Sequence, residues 1–493
     1  MTTDHPRATL DRASCGSIRL IGASAPPVPG IVHLGLGQFH RAHAAFYTAL
    51  AMQQDMGEWG IAGVANRSRR VVEALQAQDG LYSLLELDQD EVSFGLIDVH
   101  RQLLVAADQP AEVAAAIAAS TTRLITLTLT EAGYHSGADG HLGVDQPDVA
   151  ADLSDPRHPR TLLGILAAGL WSRWEHDQPA PTVLCCDNLL AAGEATRARV
   201  FEYLDAAGAP VGLHDWLAAA AFPNAMVDRI VPGTTDATRE TAARLLGLRD
   251  RVPVPTEPFS MWVIEDNFAL GRPSWEQAGV IFSDQVADYE LIKLRLLNGC
   301  HSLMATLGVL SGLNTIPEAI ANATISACVR QAQRDEYGPT LTLPDAFDLA
   351  AYEAELFHRW GNTALGDATT RVASDGSLKL AQRVVDPAIA ALDRGEMPQQ
   401  LALTVAAWLV MVAPPTGFDP GPLAKLVVEP KAQAMARLVA GAISPAEHAR
   451  RVMAGGILPD RLCQHQEFTD RVAELVTVLS RHGVAAAMAE AIG

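Results

Sequence analysis

Four polar side chains stand close together in one apolar stretch of the sequence. They are Glu290, Lys293, Asn298 and His301. If this stretch is an α-helix, then at about 100° per residue the four project at about 60°, 0°, 140° and 80° around its axis, on one face. Leucines share that face, and an unpaired lysine or glutamate among leucines is costly. The pattern therefore indicates that these polar groups take part in chemistry.

The lysine at the centre of this face suits acid-base chemistry. Burial among apolar side chains disfavours the charged form of a lysine and lowers its pKa towards neutrality. A general base that takes the proton of an alcohol during hydride transfer needs such a pKa. The alternative interpretation is that Lys293 points into solvent from an amphipathic helix, as most lysines do.

A short turn near the start of the chain is typical of nucleotide binding. The run 31–34 predicts a strand and 41–51 a helix, with Gly35 and Gly37 between them. Glycines there let the turn close and let the backbone approach a pyrophosphate at the helix N-terminus. His40 replaces the third glycine of the motif, so an ordinary strand-to-helix turn is the alternative. The residues assigned to the cofactor here are Gly35, Gly37, Gln38 and Phe39.

The segment after the second predicted strand bears on the choice of cofactor. An acidic residue here accepts a hydrogen bond from the ribose 2′-OH of NAD, whereas an arginine accommodates the 2′-phosphate of NADP. This run contains no acid, and its arginines suit a phosphate. We predict NAD or NADP, with a slight preference for NADP; a solvated basic turn is the alternative. The residues assigned are Asn66, Arg67, Ser68, Arg69 and Arg70.

The elements that must position these residues alternate in the first part of the chain. Apolar runs predict buried strands at 31–34, 60–64, 124–130 and 182–186. Helical patterns lie between them, which predicts an α/β fold with a Rossmann-type, doubly wound parallel sheet. The segment 82–99 reads as a small inserted hairpin.

From about residue 288 the sequence becomes mainly helical. Helices are predicted at 291–311, 316–335, 397–413, 432–441 and 468–480. A chain of 493 residues also exceeds what one core usually supports. We therefore predict a dinucleotide-binding Rossmann-like domain at 1–287 and a mainly α-helical substrate-binding and catalytic domain at 288–493.

Composition limits the partners that the chain can have. Its net charge of -20 would repel phosphate backbones and anionic lipids, so neither nucleic acid nor membrane is an expected partner. The N-terminal residues lack a basic segment followed by an apolar one, which favours a cytoplasmic location. The six cysteines and fifteen histidines show no zinc-binding spacing, so no metal site is expected.

Motifs spread along the chain from about residue 30 resemble one enzyme family. They are, in order, Gly35-x-Gly-x-Phe39-His-Arg-Ala-His43, Thr130-Glu131-Ala-Gly133, Cys186-Asp-Asn188, Phe222-Pro-Asn-Ala-Met-Val-Asp228, Lys293-x4-Asn298-Gly-x-His301 and Ser374-Asp-Gly-Ser377-x-Lys379. Together they resemble the polyol-specific long-chain dehydrogenase/reductase family, which contains mannitol 2-dehydrogenases and fructuronate reductases. The Lys-Asn-His motif is specific, whereas the two glycines alone are not.

The resemblance implies a role for each matching position. Lys293 corresponds to a general acid-base, and Asn188 and Asn298 correspond to donors that hydrogen-bond the reacting oxygen, as in an oxyanion hole. Glu290 corresponds to a carboxylate that relays the lysine proton towards water. His301 belongs to the catalytic group and corresponds to a substrate contact. The remaining substrate-binding assignments are Asp228, Arg371, Lys379 and Glu131. The resemblance also implies a metal-independent mechanism.

These observations predict an NAD(P)-dependent oxidoreductase that interconverts a polyol, such as mannitol, with its 2-ketose. Arg371 ahead of the Asp-Gly-Ser-x-Lys motif resembles mannitol 2-dehydrogenases, but Ser302 and the pair Val231-Pro232 look closer to fructuronate reductases. A keto-uronate reductase is therefore the alternative within the family. A dinucleotide-binding redox sensor is the non-enzymatic alternative. Apart from a polyol or sugar-acid substrate, the expected assembly is a monomer or weak homodimer.

Overall fold

The chain folds into two compact units, Met1–Ala287 and Asp288–Gly493. The structure is a computed structural model that describes residues 7–16, 18–22, 28–89, 91–129, 131–137, 140–345 and 347–493, with the side chain of Glu131 outside the described part. All strands found in the described residues belong to the first unit.

The strands of the first unit are β1 (Leu20–Ile21), β2 (Pro29–Leu34), β3 (Gly60–Ala65), β4 (Tyr82–Leu87), β5 (Val92–Ile97), β6 (His100–Val105), β7 (Leu124–Leu127), β8 (Thr182–Cys185), β9 (Ala225–Asp228), β10 (Val254–Thr256), β11 (Met261–Ile264) and β12 (Ile281–Phe282). Its helices are α1 (Gln38–Ala42), α2 (Ala44–Gln54), α3 (Arg69–Gln76), α4 (Pro110–Ala118), α5 (Pro147–Ser154), α6 (Leu162–Glu175), α7 (Ala192–Ala206), α8 (Val211–Leu217) and α9 (Asp236–Leu246). Short 3₁₀-helices occupy Glu131–Tyr134 and Trp275–Ala278.

A five-stranded sheet forms the centre of the first unit, in the order β6-β3-β2-β7-β8. All four neighbouring pairs are parallel. The chain leaves β2 towards β3 on one side and later returns to β7 on the other, so the strand order reverses beside β2. Doubly wound sheets bind ligands at such a reversal, outside the carboxyl ends of the strands. The predicted Rossmann-type parallel sheet is thus confirmed.

The central strands are buried on both faces, which explains their unbroken apolar sequence. In β2, Ile31 packs into one hydrophobic cluster and Val32 into another. In β3, Ile61 and Ala62 divide between the same two clusters. Because successive side chains of a strand point to opposite faces, one cluster lies on each side of the sheet.

Two smaller sheets flank this arrangement. One has the order β1-β5-β4-β10, in which β4 and β5 form an antiparallel pair within the segment 82–99. The strands β1 and β10 add to that pair as parallel neighbours, which the sequence patterns did not indicate. The other sheet joins β12, β11 and β9.

The second unit is mainly helical, as predicted. Its α-helices are α10 (Val286–Ile292), α11 (Cys300–Leu310), α12 (Ile316–Ala321), α13 (Ala323–Gln331), α14 (Leu349–Trp360), α15 (Thr369–Ala373), α16 (Gly376–Arg383), α17 (Val385–Asp393), α18 (Gln399–Val412), α19 (Ala432–Val439), α20 (Pro445–Met453), α21 (Asp460–Cys463) and α22 (Gln466–Ile492). Two π-helices, Lys293–Gly299 and Ala332–Tyr337, and two 3₁₀-helices, Gly338–Thr340 and Leu423–Leu426, complete it. The single α-helix predicted over 291–311 is therefore wrong in detail, because a π-helical turn separates α10 from α11.

Helix α22 is long and apolar enough by composition to cross a membrane. Its backbone breaks at Gly483, whose φ of 83° and ψ of 176° are not helical. The helical stretches on either side of that break are each shorter than the roughly 20 residues that a membrane span needs. Phe468 and Leu479 are fully buried within the unit. These features describe a core helix that bends.

Candidate functional site

The turn that follows β2 requires glycine at its first position, and backbone hydrogen bonds close it. Gly35 has a φ of +115°, a conformation that disfavours other residues. A Cβ on Gly35 would lie 2.1 Å from the carbonyl oxygen of Thr128. The Gly35 amide donates to Val64 O at 2.9 Å, and the Gly37 amide donates to Gly35 O at 2.6 Å. We call Gly35–Gly37 the glycine turn.

Gly37 leaves the space in front of this turn open. A Cβ there would meet only Gly35 O, at 3.6 Å. Gly37 is also the N-cap of α1, and no side chain caps that helix. The Gln38 amide group donates to Thr234 Oγ1, and the Phe39 ring stacks on His43 at 5.0 Å. Gln38 and Phe39 thus line this turn with their side chains in ordered contacts.

His40, which replaces the third glycine of the motif, belongs to a buried histidine cluster. Its ring stacks on His33 at 3.4 Å, and its Nε2 lies 3.1 Å from Nε2 of His100. His33 also bonds Thr126 Oγ1 at 2.8 Å. Burial lowers the pKa of His33 and His100 to about 3 each, and it holds the pKa of His40 well below its usual value. The three imidazoles are therefore neutral at physiological pH.

The segment after β3 is exposed, as a cofactor-binding edge should be. Asn66, Arg67, Ser68, Arg69 and Arg70 are all exposed, and Arg69 is the first residue of α3. Arg69 donates to both carboxylate oxygens of Asp108, at 2.6 and 2.5 Å. The hydrogen bonds from Arg69 lower the pKa of Asp108. The segment 66–70 contains no acidic residue, but Asp108, shortly after β6, lies beside it in the fold. The charge of Arg69 is therefore already neutralised by Asp108.

Three further assigned residues of the first unit follow the ends of strands. Asn188 lies in the bend after β8 and is exposed. It does not cap α7, whose N-cap is Ala191; instead Asn224 Oδ1 accepts from the Gly193 amide at 2.9 Å. Glu131 begins a 3₁₀-helix.

Asp228 is the buried last residue of β9. Within the described part of the chain, the neighbouring Arg229 forms its ion pair with Glu86 and not with Asp228. The Arg229 guanidinium donates to Glu86 Oε1 at 2.6 Å and to two backbone carbonyls, Ala42 O and Glu257 O. Asp228 is therefore not held as the counter-ion of Arg229.

Lys293 and Asn298 lie in one π-helical turn, Lys293–Gly299. Hydrogen bonds in a π-helix join residues five apart, so Lys293 and Asn298 stand about one turn apart along the axis, as residues four apart do in an α-helix. Both are half-buried, while Glu290 in the preceding turn is buried. The separation of about 140° expected for an α-helix is wrong, because π-winding brings lysine and asparagine onto the same side.

Arg383 of α16 supports this turn from outside. Its Nη1 donates to the Asn298 carbonyl oxygen and to Ser302 Oγ, both at 3.0 Å. π-Helical winding changes which amide each carbonyl meets, and the guanidinium supplies a donor at Asn298. Sequence reasoning did not find Arg383, although it lies four residues after the assigned Lys379.

A second π-helix, Ala332–Tyr337, packs against the first through Gly299. A Cβ on Gly299 would lie 2.4 Å from the Tyr337 hydroxyl, so any other residue here would displace the ring. Glu336, beside this tyrosine, accepts from the amides of Gln400 and Leu401 at 2.7 and 2.8 Å. Burial raises the pKa of Glu336 to about 7.

Lys379 is anchored to the backbone. Its Nζ donates to Ser374 O at 2.6 Å and to Val372 O at 3.0 Å. Burial lowers the pKa of Lys379 to about 8. Two of its three donors are therefore used to hold the end of α15, and one remains for another partner.

Arg371, on α15, is 66% exposed and pairs with Asp367 one turn earlier. The half-buried His301 in α11 packs its ring 5.8 Å from that of Trp360. Within the described residues, no group of three or more His, Cys, Asp or Glu side chains could hold a metal ion. The metal-independent mechanism stays a prediction.

Comparison with known proteins identifies the family. The family model for the mannitol dehydrogenase Rossmann domain matches residues 29–277, and the one for the mannitol dehydrogenase C-terminal domain matches 285–417. The chain belongs to the mannitol dehydrogenase family. It is an oxidoreductase of that family, and the resemblance inferred from the motifs is confirmed.

Relatives in the mannitol dehydrogenase family carry more than one name. A D-mannonate oxidoreductase of Escherichia coli is 34% identical over 92% of this chain and 93% of its own. A mannitol 2-dehydrogenase of Pyrenophora tritici-repentis is 37% identical over 82% of this chain and 74% of its own.

Solved structures agree with this assignment. The mannitol 2-dehydrogenase of Pseudomonas fluorescens, in ternary complex with NAD and D-mannitol, is 33% identical, with a TM-score of 0.86 over 98% of this chain and 99% of that chain. A substrate-free D-sorbitol dehydrogenase is 28% identical, with a TM-score of 0.85 over 98% of this chain and 100% of that chain.

Proposed function

We propose that this member of the mannitol dehydrogenase family interconverts a linear polyol, such as mannitol, with its 2-ketose. A nicotinamide dinucleotide accepts or returns the hydride at C2, and Lys293 is the acid-base. The observation that carries the proposal is the π-helical turn, which stacks Lys293 and Asn298 one turn apart. π-Helical turns occur frequently at functional sites. The mannitol-bound relative supports the choice of substrate.

The residues of the glycine turn fit a dinucleotide. The space in front of Gly37, which a Cβ would fill, leaves room for a pyrophosphate beside the backbone. Gly35, Gly37, Gln38 and Phe39 would hold that part of the cofactor, and the segment 66–70 would hold its ribose. The nicotinamide ring, when bound, supplies the hydride acceptor and donor.

The residues of the second unit would move the proton and steady the reacting oxygen. Lys293 takes the proton of the alcohol during oxidation and returns it during reduction. The Asn298 amide donates to the same oxygen, where negative charge develops. Glu290, one turn before Lys293, accepts the lysine proton and passes it towards water. The other assigned residues keep their predicted roles. Asn188 donates to the reacting oxygen, and the remaining ones contact the substrate: Asp228, Glu131, Arg371, Lys379 and His301.

A substrate screen tests this function. NAD and NADP are each assayed by absorbance with mannitol, arabinitol, sorbitol, xylitol, fructose and uronates. Wild type should oxidise a linear polyol, and Lys293→Ala should lose about 10²- to 10⁴-fold in kcat while its dinucleotide affinity stays within twofold. If Lys293→Ala keeps most of the wild-type kcat, the assignment of the base is wrong.

The second candidate is a reductase of a keto-uronate such as fructuronate. The relative named D-mannonate oxidoreductase, which aligns over nearly the whole chain, favours it. The same screen separates the two functions, because a sugar-acid enzyme would turn over uronates at least tenfold more efficiently than fructose. A dinucleotide-binding sensor would bind the cofactor and turn over none of these compounds.

The preference for NADP, the cytoplasmic location and a monomeric or weakly dimeric assembly also belong to this proposal. The exposed Arg67 and Arg70 support NADP, whereas the pairing of Arg69 with Asp108 opposes it. Sedimentation at micromolar and higher concentrations would test the assembly. A stable tetramer would contradict it.

A further inference from the structure

A cavity of about 490 Å³ lies in the first unit, against α3. Four arginines line it, together with two acids: Arg70, Arg239, Arg249, Arg251, Glu73 and Asp250. Only Arg70 belongs to the basic run that the sequence indicated. Glu73 comes from α3, as Arg70 does, and the other three arginines come from α9 and from the segment before β10. We call this space the arginine cavity.

The arginine cavity carries an excess of positive charge in a protein whose net charge is -20. Four guanidinium groups face two carboxylates there. Asp250 is buried, and its oxygens already accept from the Ser83 amide at 2.7 Å, from Ser83 Oγ at 2.6 Å and from Gln78 Nε2 at 3.0 Å. The carboxylate oxygens of Asp250 therefore accept hydrogen bonds from Ser83 and Gln78 and not from the arginines of the cavity.

Most of these guanidinium groups lack a carboxylate partner. Arg239 pairs with Asp236 at 2.5 Å, and Arg249 bonds only the neutral Thr9 Oγ1, at 3.3 Å. Among the described residues, Arg70 and Arg251 form no ion pair, and both are exposed. Clustered arginines without counter-ions repel one another unless an anion joins them. Their forked donors match a phosphate.

The cavity adjoins the glycine turn through one buried arginine. Arg41 Nε donates to Gly37 O at 3.1 Å, and its Nη1 donates to the carbonyl oxygen of Val252, a cavity residue, at 2.7 Å. Arg70 lies in the first turn of α3, directly after β3. In Rossmann units the adenosine ribose lies at the end of this second strand. The cavity therefore stands at the ribose end of the nucleotide site.

We propose that the arginine cavity binds the 2′-phosphate of NADP, through Arg70, Arg249 and Arg251. This rests on the proposed dinucleotide-dependent function and specifies the form of the cofactor. The chemistry required is that of a phosphate monoester dianion, which inorganic phosphate shares. Arg69 has no part in it, because Asp108 occupies its guanidinium.

Calorimetric titration with two adenosine nucleotides isolates the 2′-phosphate. Adenosine 2′,5′-bisphosphate carries that group and 5′-AMP does not. The full-length protein should bind the bisphosphate at least tenfold more tightly than 5′-AMP. In Arg249→Ala/Arg251→Ala this ratio should fall by tenfold or more, while the affinity for 5′-AMP stays within twofold. Equal affinity of the wild type for the two nucleotides would overturn the proposal, with or without a folded variant.

Arg244→Ala is the matched control, because Arg244 lies on α9 with Arg239 but does not line the cavity. It removes one positive charge and should leave the ratio of the two nucleotide affinities unchanged. If this ratio falls as much in Arg244→Ala as in the cavity variant, net charge alone explains the effect and the proposed site is refuted. Inorganic phosphate distinguishes the sources. It should compete with the bisphosphate and not with 5′-AMP, and phosphate binding that leaves the bisphosphate unaffected would refute the 2′-phosphate assignment.

The two proposals fail differently. Lys293→Ala should keep the nucleotide ratio of the wild type, because Lys293 does not line the arginine cavity. If no polyol or sugar acid is turned over but the bisphosphate preference persists, the proposed function fails and the cofactor inference stands. If a polyol is turned over with NAD and the ratio is near one, only the cofactor inference fails.

Discussion

Arg69 and Asp108 determine how much positive charge is presented by the segment 66–70, the proposed ribose site. Their bidentate ion pair joins the start of α3 to the end of β6. The Arg69 side chain is 69% exposed, so the pair contributes little to stability. Its effect is instead on charge, since the carboxylate of Asp108 neutralises the Arg69 guanidinium and so weakens the attraction of this segment for a phosphate.

Removing that carboxylate should favour NADP. In Asp108→Asn the Arg69 guanidinium loses its partner and becomes available to a phosphate, so the NADP dissociation constant should fall about three- to tenfold while that of NAD changes less than twofold. Fluorescence titration of both reduced cofactors measures this. Asp155→Asn, an exposed acid elsewhere in the first unit, removes the same charge and serves as the control. Equal gains in both variants would mean that the effect is nonspecific.

Glu336 makes the stability of the second unit depend on pH. Burial raises its pKa to about 7, above the ordinary value of 4.5. The folded state therefore keeps a proton that the unfolded state has released. The stabilisation is fully present below pH 4.5 and is lost as the pH rises through 7. Its upper limit is about 3 kcal/mol, because each pKa unit corresponds to about 1.4 kcal/mol.

Glu336→Gln should flatten this dependence. Glutamine does not ionise. Its single carbonyl oxygen can replace only one of the two carboxylate oxygens that accept from the amides of Gln400 and Leu401, so the variant should lose some stability by an amount that does not depend on pH. The free energy of unfolding of the wild type, relative to the variant, should fall between pH 5 and 7.5. Urea unfolding at several pH values measures it. The control is Glu467→Gln on α22, an exposed position. A constant difference between wild type and Glu336→Gln across this range would contradict the shifted pKa.

Among the helices, the segment around Lys293 has a winding that differs from the prediction, since it is π-helical and not α-helical. The polar pattern of Lys293, Asn298 and His301 predicted a helical segment in this part of the chain, and the structure contains one. The chemistry assigned to that segment stays a prediction. The winding was not predictable from that pattern, because it depends on partners elsewhere in the chain. Arg383 bonds the Asn298 carbonyl, and the Tyr337 ring occupies the space that Gly299 leaves.

Arg383 should act as a positioning residue for Asn298. Arg383→Ala removes the donor to the Asn298 carbonyl oxygen, so kcat should fall about 10- to 100-fold through misplacement of the amide. The dissociation constant of the dinucleotide should not change. Arg383→Lys should recover part of kcat, which simple unfolding would not allow. Steady-state kinetics with a thermal melt measures both.

The control for Arg383 is Arg394→Ala. Arg394 also bonds a backbone carbonyl and lies in the second unit, but it is held at the end of α17. Its loss should leave kcat within twofold. If kcat is unchanged in Arg383→Ala, the π-helical turn holds its shape without this contact.

At the scale of the whole molecule, local patterns predicted the sheet and helices better than the sites. The parallel strands were visible because each is an apolar run buried on both faces. The arginine cavity was not visible, because Arg70 and Arg251 are far apart in sequence and meet only through the packing of α3 on the segment before β10. The counter-charge from Asp108 was missed for the same reason.

Three buried imidazoles near the glycine turn make the free energy of unfolding fall at acid pH. They belong to His33, His40 and His100. The pKa of each is lower in the folded state than the ordinary 6.5. Below pH 6.5 the unfolded state therefore binds protons that the folded state does not bind. Their stabilisation is complete above pH 6.5 and is lost as the pH falls through the lowered pKa values, which are about 3 for His33 and His100. Three protons correspond to as much as about 4 kcal/mol per pH unit.

His40→Phe should reduce that slope by about one proton, measured by urea unfolding between pH 4 and 7, whereas the exposed His158→Phe should not change it. An unaltered slope in His40→Phe would contradict the lowered pKa. Acid inactivation should then begin with loss of dinucleotide binding while the helices of the second unit are still intact. The tolerance of this enzyme to acid would be governed by three side chains buried in the interior of the first unit.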